Sequence, residues 1–149
     1  DSSGFSINHD PKCGSTSMYL FTSDDFFKNH ITKNYDIIFI DGLHTEVQVD
    51  KDLTNSIKYL NENGTIILHD CYDPASWNRW GEGQTVWRSV SKFNYIENGW
   101  SCNVVNTDYG CGIVRKGIQN KHSGSIEESR AWNTKQLNLI TVEQFKELY

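Results

Sequence analysis

The alternation of apolar and polar positions along this chain changes period several times, and the order of those changes predicts an α/β domain. The clearest stretch is Ile37-Ile38-Phe39-Ile40, continuously apolar and rich in β-branched residues. Such a run predicts a strand covered on both faces, as the strands of parallel sheets are. From Thr45 to Asn61 the pattern becomes helical. Val49, Leu53, Ile57 and Leu60 recur at spacings of 4, 4 and 3, while Asp50, Lys51, Asn55 and Lys58 fall elsewhere around the helix. Asn63-Gly64 supplies a stop, and Thr65-Ile66-Ile67-Leu68 is a second doubly buried strand ending in His69-Asp70. Strand, helix and strand make a βαβ unit, whose crossover is expected to be right-handed.

The flanking patterns are shorter. Phe5 to Asn8 reads as a strand closed by His9-Asp10-Pro11, and Met18 to Phe21 as a second apolar run. Thr22-Ser23-Asp24-Asp25 is an N-cap cluster ahead of Phe26 and Phe27, predicting a helix to about His30, after which Ile31 to Asn34 returns the chain to the sheet. Tyr72 to Gln84, with Pro74, Gly81 and Gly83, is a loop; Thr85 to Phe93 is helical, with Val86, Trp87 and Val90 on one side. Trp100 to Val105 and Gly112 to Arg115 form an antiparallel hairpin through Asn106-Thr107-Asp108-Tyr109-Gly110. After a polar link from Lys116 to Gly124, a helical segment starts near Ser125, and Thr141-Val142-Glu143-Gln144 is a capping box opening a last helix to Tyr149.

Composition narrows the partners more than the fold. A chain of 149 residues with 37% hydrophobic and 22% charged residues suits a single globular domain. The net charge of −5 comes from scattered acids, which argues against a nucleic-acid backbone binder. No apolar run approaches the roughly 20 residues that span a bilayer. The opening Asp1-Ser2-Ser3-Gly4 carries no signal-peptide pattern, so the expectation is a cytoplasmic protein without membrane partners. The four cysteines (Cys13, Cys71, Cys102, Cys111) form no CxxC pair, which disfavours a zinc knuckle and predicts reduced thiols. A disulfide between Cys102 and Cys111 across the hairpin stays open.

In open α/β sheets, ligands collect beyond the carboxyl ends of the strands. Three polar clusters fall at such ends: His9-Asp10, Asp41-Gly42-Leu43-His44 and His69-Asp70. With their strands adjacent, Asp41 and Asp70 stand about 5 Å apart along the sheet. Carboxylates that close repel unless a proton or cation lies between them, and Mg²⁺ completed by waters is one solution. His44, one helical turn past Asp41, is a candidate general base or further ligand. His69 ranks below it, because alternation along a strand sends its side chain to the face opposite Asp70. Asp10, at a strand end, is placed to accept hydrogen bonds from ribose hydroxyls. Each assignment has a structural alternative: Asp41 or Thr45 capping the helix, Asp10-Pro11 starting a turn, Ser23 and Asp24 acting as helix caps before any adenine contact. Trp77, Trp80, Asn78 and Arg79 either cover a substrate pocket or pack internally.

The blocks Tyr35-Asp-Ile-Ile-Phe-Ile-Asp-Gly-Leu-His44 and Gly64-Thr-Ile-Ile-Leu-His-Asp70, with Thr22 to Phe27, Val86-Trp87, Tyr109 to Ile113 and Leu137 to Phe145, resemble the methyltransferase-24 type of class I methyltransferases. The resemblance implies a Rossmann-like, mostly parallel sheet with an antiparallel C-terminal hairpin, S-adenosylmethionine as methyl donor, and a divalent metal such as Mg²⁺. Related catechol-type enzymes hold that metal with an Asp after the fourth strand and an Asp-Asn pair after the fifth. Asp41 and Asp70 match the aspartates, whereas Cys71 stands where the Asn would be, a poor donor to Mg²⁺. The glycine-rich turn of such enzymes has no counterpart before Asp10, so residues 1–149 read as one methyltransferase domain lacking its first βα unit. The function so implied is methyl transfer to an oxygen, less favourably a nitrogen, of a small molecule or sugar. In it, Asp41 and His44 are catalytic; Asp10, Ser23, Asp24 and Asp41 bind cofactor; and Asp41, Asp70 and His44 hold metal. Two other classes stay open: a non-catalytic binding or assembly module derived from such an enzyme, and a metal-dependent enzyme of different chemistry. A homo-oligomer is compatible with either.

Overall fold

The computed structural model describes residues 20–72, 85–95, 99–117 and 134–149. The expectations for Phe5 to Asn8, His9-Asp10, Cys13, the Trp77 to Trp80 loop and the helix near Ser125 lie outside these residues. The described elements begin with a short helix, α1 (Ser23–Asp25), followed by one π-helical turn, Phe26–His30. Then come β1 (Tyr35–Ile40), α2 (Glu46–Lys58), β2 (Leu60–Leu68), α3 (Val86–Tyr95), β3 (Trp100–Val105) and β4 (Cys111–Lys116). A 3-10 turn at Thr134–Leu137 leads to β5 (Leu139–Ile140) and α4 (Val142–Leu148).

The five described strands form one sheet in the order β1-β2-β4-β3-β5. β1 and β2 are parallel, β4 is antiparallel to both β2 and β3, and β5 is parallel to β3. Only β4 therefore runs against the other described strands. The expected mostly parallel sheet with an antiparallel hairpin is present, and β4 enters between β2 and β3. As a result β1, β2 and β3 all end at the same side of the sheet.

One face of the sheet carries the core. Ile38 and Ile40 stand beside Ile66 and Leu68, which stand beside Val114 and Gly112, and these in turn beside Cys102 and Val104. The apolar side chains of this row join Val49 and Leu53 of α2 and Val86 and Val90 of α3 in one buried cluster. Lys92 of α3 pairs with Glu46 and Asp50 of α2, fastening the two helices to each other. The opposite face is covered differently. Tyr149, after α4, accepts a hydrogen bond from Asn103 at 3.0 Å and lies under the Arg115 guanidinium. At the β1 side Ile37 is 65% and Phe39 43% exposed. The expectation of a strand buried on both faces is thus wrong for β1: the described helices α2 and α3 cover one face only, and continuity of apolar residues does not report which neighbour is present.

Two boundaries also differ from expectation. α2 ends at Lys58, and Leu60 belongs to β2, opposite Tyr35. Gly64 is inside the strand rather than a helix stop. A Cβ there would meet Leu60 Cγ at 2.7 Å and the Asp36 carbonyl oxygen at 3.0 Å, so only glycine lets the chain bulge between the Tyr35–Leu60 and Ile37–Thr65 pairs. Cys102 faces Val114 and Cys111 faces Val105 across the hairpin; both thiols, and that of Cys71, are free, so the disulfide left open does not form. The capping box at Thr141 and Gln144 is present as expected. Among the described residues, no helix is long and apolar enough to cross a membrane.

One-sided burial gives a direct expectation. Ile66→Ala, at a fully buried position, should cost about 3 kcal/mol in chemical denaturation, whereas Ile37→Ala should cost under about 1 kcal/mol. Equal losses at the two positions would contradict the assignment of the core face.

Candidate functional site

The common side at which β1, β2 and β3 end is where the polar residues gather. Ile40 pairs with Leu68, and the His69 N–H donates to the Ile40 carbonyl at 3.0 Å, so the two chains leave the sheet together. Asp41 follows β1, and His69 and Asp70 follow β2. Asp108 lies in the turn between β3 and β4, and that turn is tied to the segment after β2: the Cys71 N–H donates to the Gly110 carbonyl and the Tyr72 N–H to the Tyr109 carbonyl.

His44 sits between two carboxylates. Its Nε2 is 3.2 Å from Asp41 Oδ1 and its Nδ1 3.2 Å from Asp70 Oδ2. His69 Nδ1 is 3.3 Å from both Asp41 Oδ1 and Asp70 Oδ1, and its Nε2 is 3.3 Å from Asp108 Oδ2. Asp41, His44 and Asp70 each offer one ligand atom, all within 4.8 Å of one another. The donor set, two carboxylates and an imidazole, fits a divalent ion, and the side chains are accessible to one: His44 and Asp70 are about a fifth exposed. Among the described residues no lysine or arginine pairs with Asp41, Asp70 or Asp108.

Burial draws the His69 pKa down, but Asp70, Asp41 and Asp108 together outweigh it and hold the imidazole above its ordinary value. Cys71 behaves differently. It is fully buried, burial pushes its thiol well above the usual range, and its Sγ donates to the Leu68 carbonyl at 3.4 Å. It is a neutral core thiol turned away from the cluster, not the substitute for a ligating Asn.

The structure unites Asp41, His44 and Asp70 as expected and adds two residues. His69 was expected on the opposite face because alternation assumes extended backbone at Asp70. β2 instead ends at Leu68, and Asp70 takes a left-handed φ of 56°. That break in alternation turns both side chains toward Asp41. Asp108 carries no signal beyond its place in a hairpin turn. His44 itself precedes α2, so its approach to Asp41 is a loop contact, not a helical one. The capping alternative also changes: Thr45 makes no side-chain cap bond, and the Glu46 N–H is satisfied by Thr85 Oγ at 2.7 Å. Thr85, whose N–H also donates to the His44 carbonyl, is the residue that fixes the loop.

Ser23 and Asp24 lie elsewhere, against α2. Gln48 Nε2 donates to Ser23 Oγ and Asp24 Oδ1, both at 3.1 Å, and Lys51 pairs with Asp24 at 3.0 Å. Thr22, not Ser23 or Asp24, is the helix cap, accepting from the Asp25 N–H. Gln48 also donates to the buried Asp52 at 3.0 Å.

Residues 6–71 match the family model of a methyltransferase domain. That segment is similar to a methyltransferase domain over less than half of the chain. It contains β1, α2, β2 and, at its last positions, His69, Asp70 and Cys71. The fold resembles the crystal structure of a protein from Corynebacterium glutamicum with a TM-score of 0.52 at 16% identity, covering 70% of this chain and 49% of that one. At that identity the likeness speaks for the fold. The chain spans about half the length of that protein. No curated protein matches it in sequence.

Two expectations follow for this framework. Gly110 has φ +87°, and a Cβ there would lie 2.4 Å from the Tyr72 nitrogen. Gly110→Ala should therefore cost at least about 2 kcal/mol by urea denaturation and release the Asp108 turn from Tyr72; an unchanged midpoint would contradict that contact. The Asp52 carboxyl is held above its usual pKa, chiefly by burial, with hydrogen bonds from Ser23 and Gln48 opposing. Its protonation thus favours the folded state below about pH 4, and that contribution is lost as pH rises through the folded value. Asp52→Asn should be more stable than the parent at neutral pH, with the gain shrinking toward pH 3 in thermal melts.

Proposed function

We propose that this chain carries the acceptor side of an S-adenosylmethionine-dependent methyltransferase that acts on an oxygen of a small molecule or sugar. The observation that carries this reading is His44 between Asp41 and Asp70 at adjoining strand ends, within a segment that matches a methyltransferase domain. S-adenosylmethionine, when bound, supplies an electrophilic methyl group on a sulfonium.

Methyl transfer of this kind depends mainly on alignment of the attacking oxygen. His44 is the proton acceptor: the acceptor hydroxyl displaces one of the two carboxylates from its ring nitrogen and gives that nitrogen its proton. The carboxylate that stays on the other ring nitrogen, Asp41 or Asp70, orients the imidazole and stabilises it once charged. Asp10 is assigned to the cofactor ribose and Ser23 and Asp24 to the adenine side. For the latter two, Gln48 and Lys51 are the groups a nucleobase would have to share. A divalent ion held by Asp41, His44 and Asp70 would lower the pKa of the acceptor hydroxyl. The protein is assigned to the cytoplasm, and no nucleic-acid partner is assigned, in keeping with its acidic charge.

Calorimetry with S-adenosylhomocysteine on the full gene product, followed by an acceptor screen that detects S-adenosylhomocysteine release, tests this reading. One-to-one binding is expected, and His44→Ala should lower turnover roughly 10²- to 10⁴-fold while leaving that affinity intact. Absence of binding would contradict the proposal and favour a non-catalytic module. Full turnover in His44→Ala would remove His44 from the chemistry.

A further inference from the structure

Backbone hydrogen bonding leaves one edge of the sheet open. β1 is the terminal strand on its side of the described sheet. The Ile40 carbonyl accepts from the His69 N–H at 3.0 Å, so the backbone groups of Ile38 and Ile40 point toward β2. By alternation those of Ile37 and Phe39 point the other way, where no described strand meets them. Their side chains are open as well, Ile37 being 65% and Phe39 43% exposed on the face that α2 and α3 leave bare. Edge strands are ordinarily blunted by proline, by lysine or by a bulge. β1 has neither residue, its one charge, Asp36, is hydrogen-bonded to Asn61, and the bulge beside it lies in β2.

Register, charge and area all fit this edge to a second copy of the chain. Two identical edges related by a two-fold axis pair antiparallel. An axis at Ile38 sets Ile37 of each copy opposite Phe39 of the other, with their outward N–H and C=O groups facing, so the ladder bonds close in pairs. β-Branched and aromatic residues so paired on one face stabilise a sheet. The antiparallel arrangement also brings the end of one β1 against the start of the other. The end bears Asp41, with Asp70 beside it, and among the described residues no lysine or arginine pairs with either. The start follows Lys33, whose ammonium lies over the Tyr35 ring at 5.4 Å. Ile37, Phe39 and the 58% exposed Leu43 each leave roughly 100 Å² of apolar side chain open. Doubled by symmetry and joined by the usual polar share, that makes about 1,000 Å² in all, the least a specific interface needs.

We propose that β1 is a dimer edge: two copies pair their β1 strands antiparallel about Ile38 and join their sheets into one. Ile37 and Phe39 cover each other across the axis, and Lys33 of each copy stands at the margin of the other's polar site. The Phe39 ring, 6.2 Å from the His69 ring, links the interface to that site. The pairing does not depend on methyl transfer, so the two readings can fail separately.

The test is sedimentation velocity of the full chain at about 100 μM, above the micromolar constants that an interface of this size allows, together with amide exchange at Ile37 and Phe39. Expected are a dimer and protected amides at both residues. Ile37→Lys and Phe39→Lys should give folded monomers in which that protection is lost, with circular dichroism confirming the fold. Lys33→Glu should weaken the dimer several-fold and reduce its sensitivity to salt. A monomer with rapidly exchanging amides would overturn the proposal. So would a monomer with both amides protected, since the chain would then close its own edge. A dimer as tight in both lysine variants as in the parent would also overturn it. Were one lysine variant unfolded, the other and Lys33→Glu decide, all three positions being exposed.

Discussion

The parallel pairing of β1 with β2, with Ile40 opposite Leu68, is the constraint from which the polar site follows. Side chains alternate with period two, so a slip of one residue would send Ile38, Ile40, Ile66 and Leu68 out of the core and their neighbours into it. Burial of those four beneath α2 and α3 holds the register. The register in turn sets Asp41 beside the start of the His69-Asp70 segment. Apolar packing on one face thus determines polar geometry at the strand ends, although none of the polar residues belongs to the core.

Alternation must also fail at one point for the site to close. Left-handed backbone at Asp70 and, in the facing turn, at Asp108 and Tyr109 turns acids and imidazoles inward. Non-glycine residues pay for such φ values only where their surroundings over-determine them. Here the Cys71–Gly110 and Tyr72–Tyr109 backbone bonds do so. The three carboxylates face two imidazoles, with no lysine or arginine paired to them among the described residues. An imidazole can release its proton or yield its place to a cation near neutral pH, which a lysine or guanidinium cannot. That makes the cluster chemically adjustable, and it is the physical reason to regard it as a site.

The central βαβ unit was legible in the sequence because its periods are strong and its elements local: the Ile37 to Ile40 run, the Val49–Leu53–Ile57 stripe and the Thr65 to Leu68 run all lie in their predicted elements. Asp41, His44 and Asp70 were legible because strand ends can be located from such runs. The placement of His69 was not legible, since period two holds only while the backbone stays extended. Asp108 and Thr85 act from 39 residues away on His69 and Glu46 respectively, a separation at which sequence pattern carries no contact information. The open face at Ile37 was hidden for a related reason: an apolar run records a tendency to be buried, not the element that does the burying.

The convergent site requires that one carboxylate join both histidines. Long-range nitrogen-15 spectra of the imidazole rings, compared between the parent and Asp41→Asn, address this directly. Asp41 Oδ1 lies 3.2 Å from His44 Nε2 and 3.3 Å from His69 Nδ1, so the signals of both rings should move together. A change confined to His44, with His69 unmoved, would contradict the convergent site.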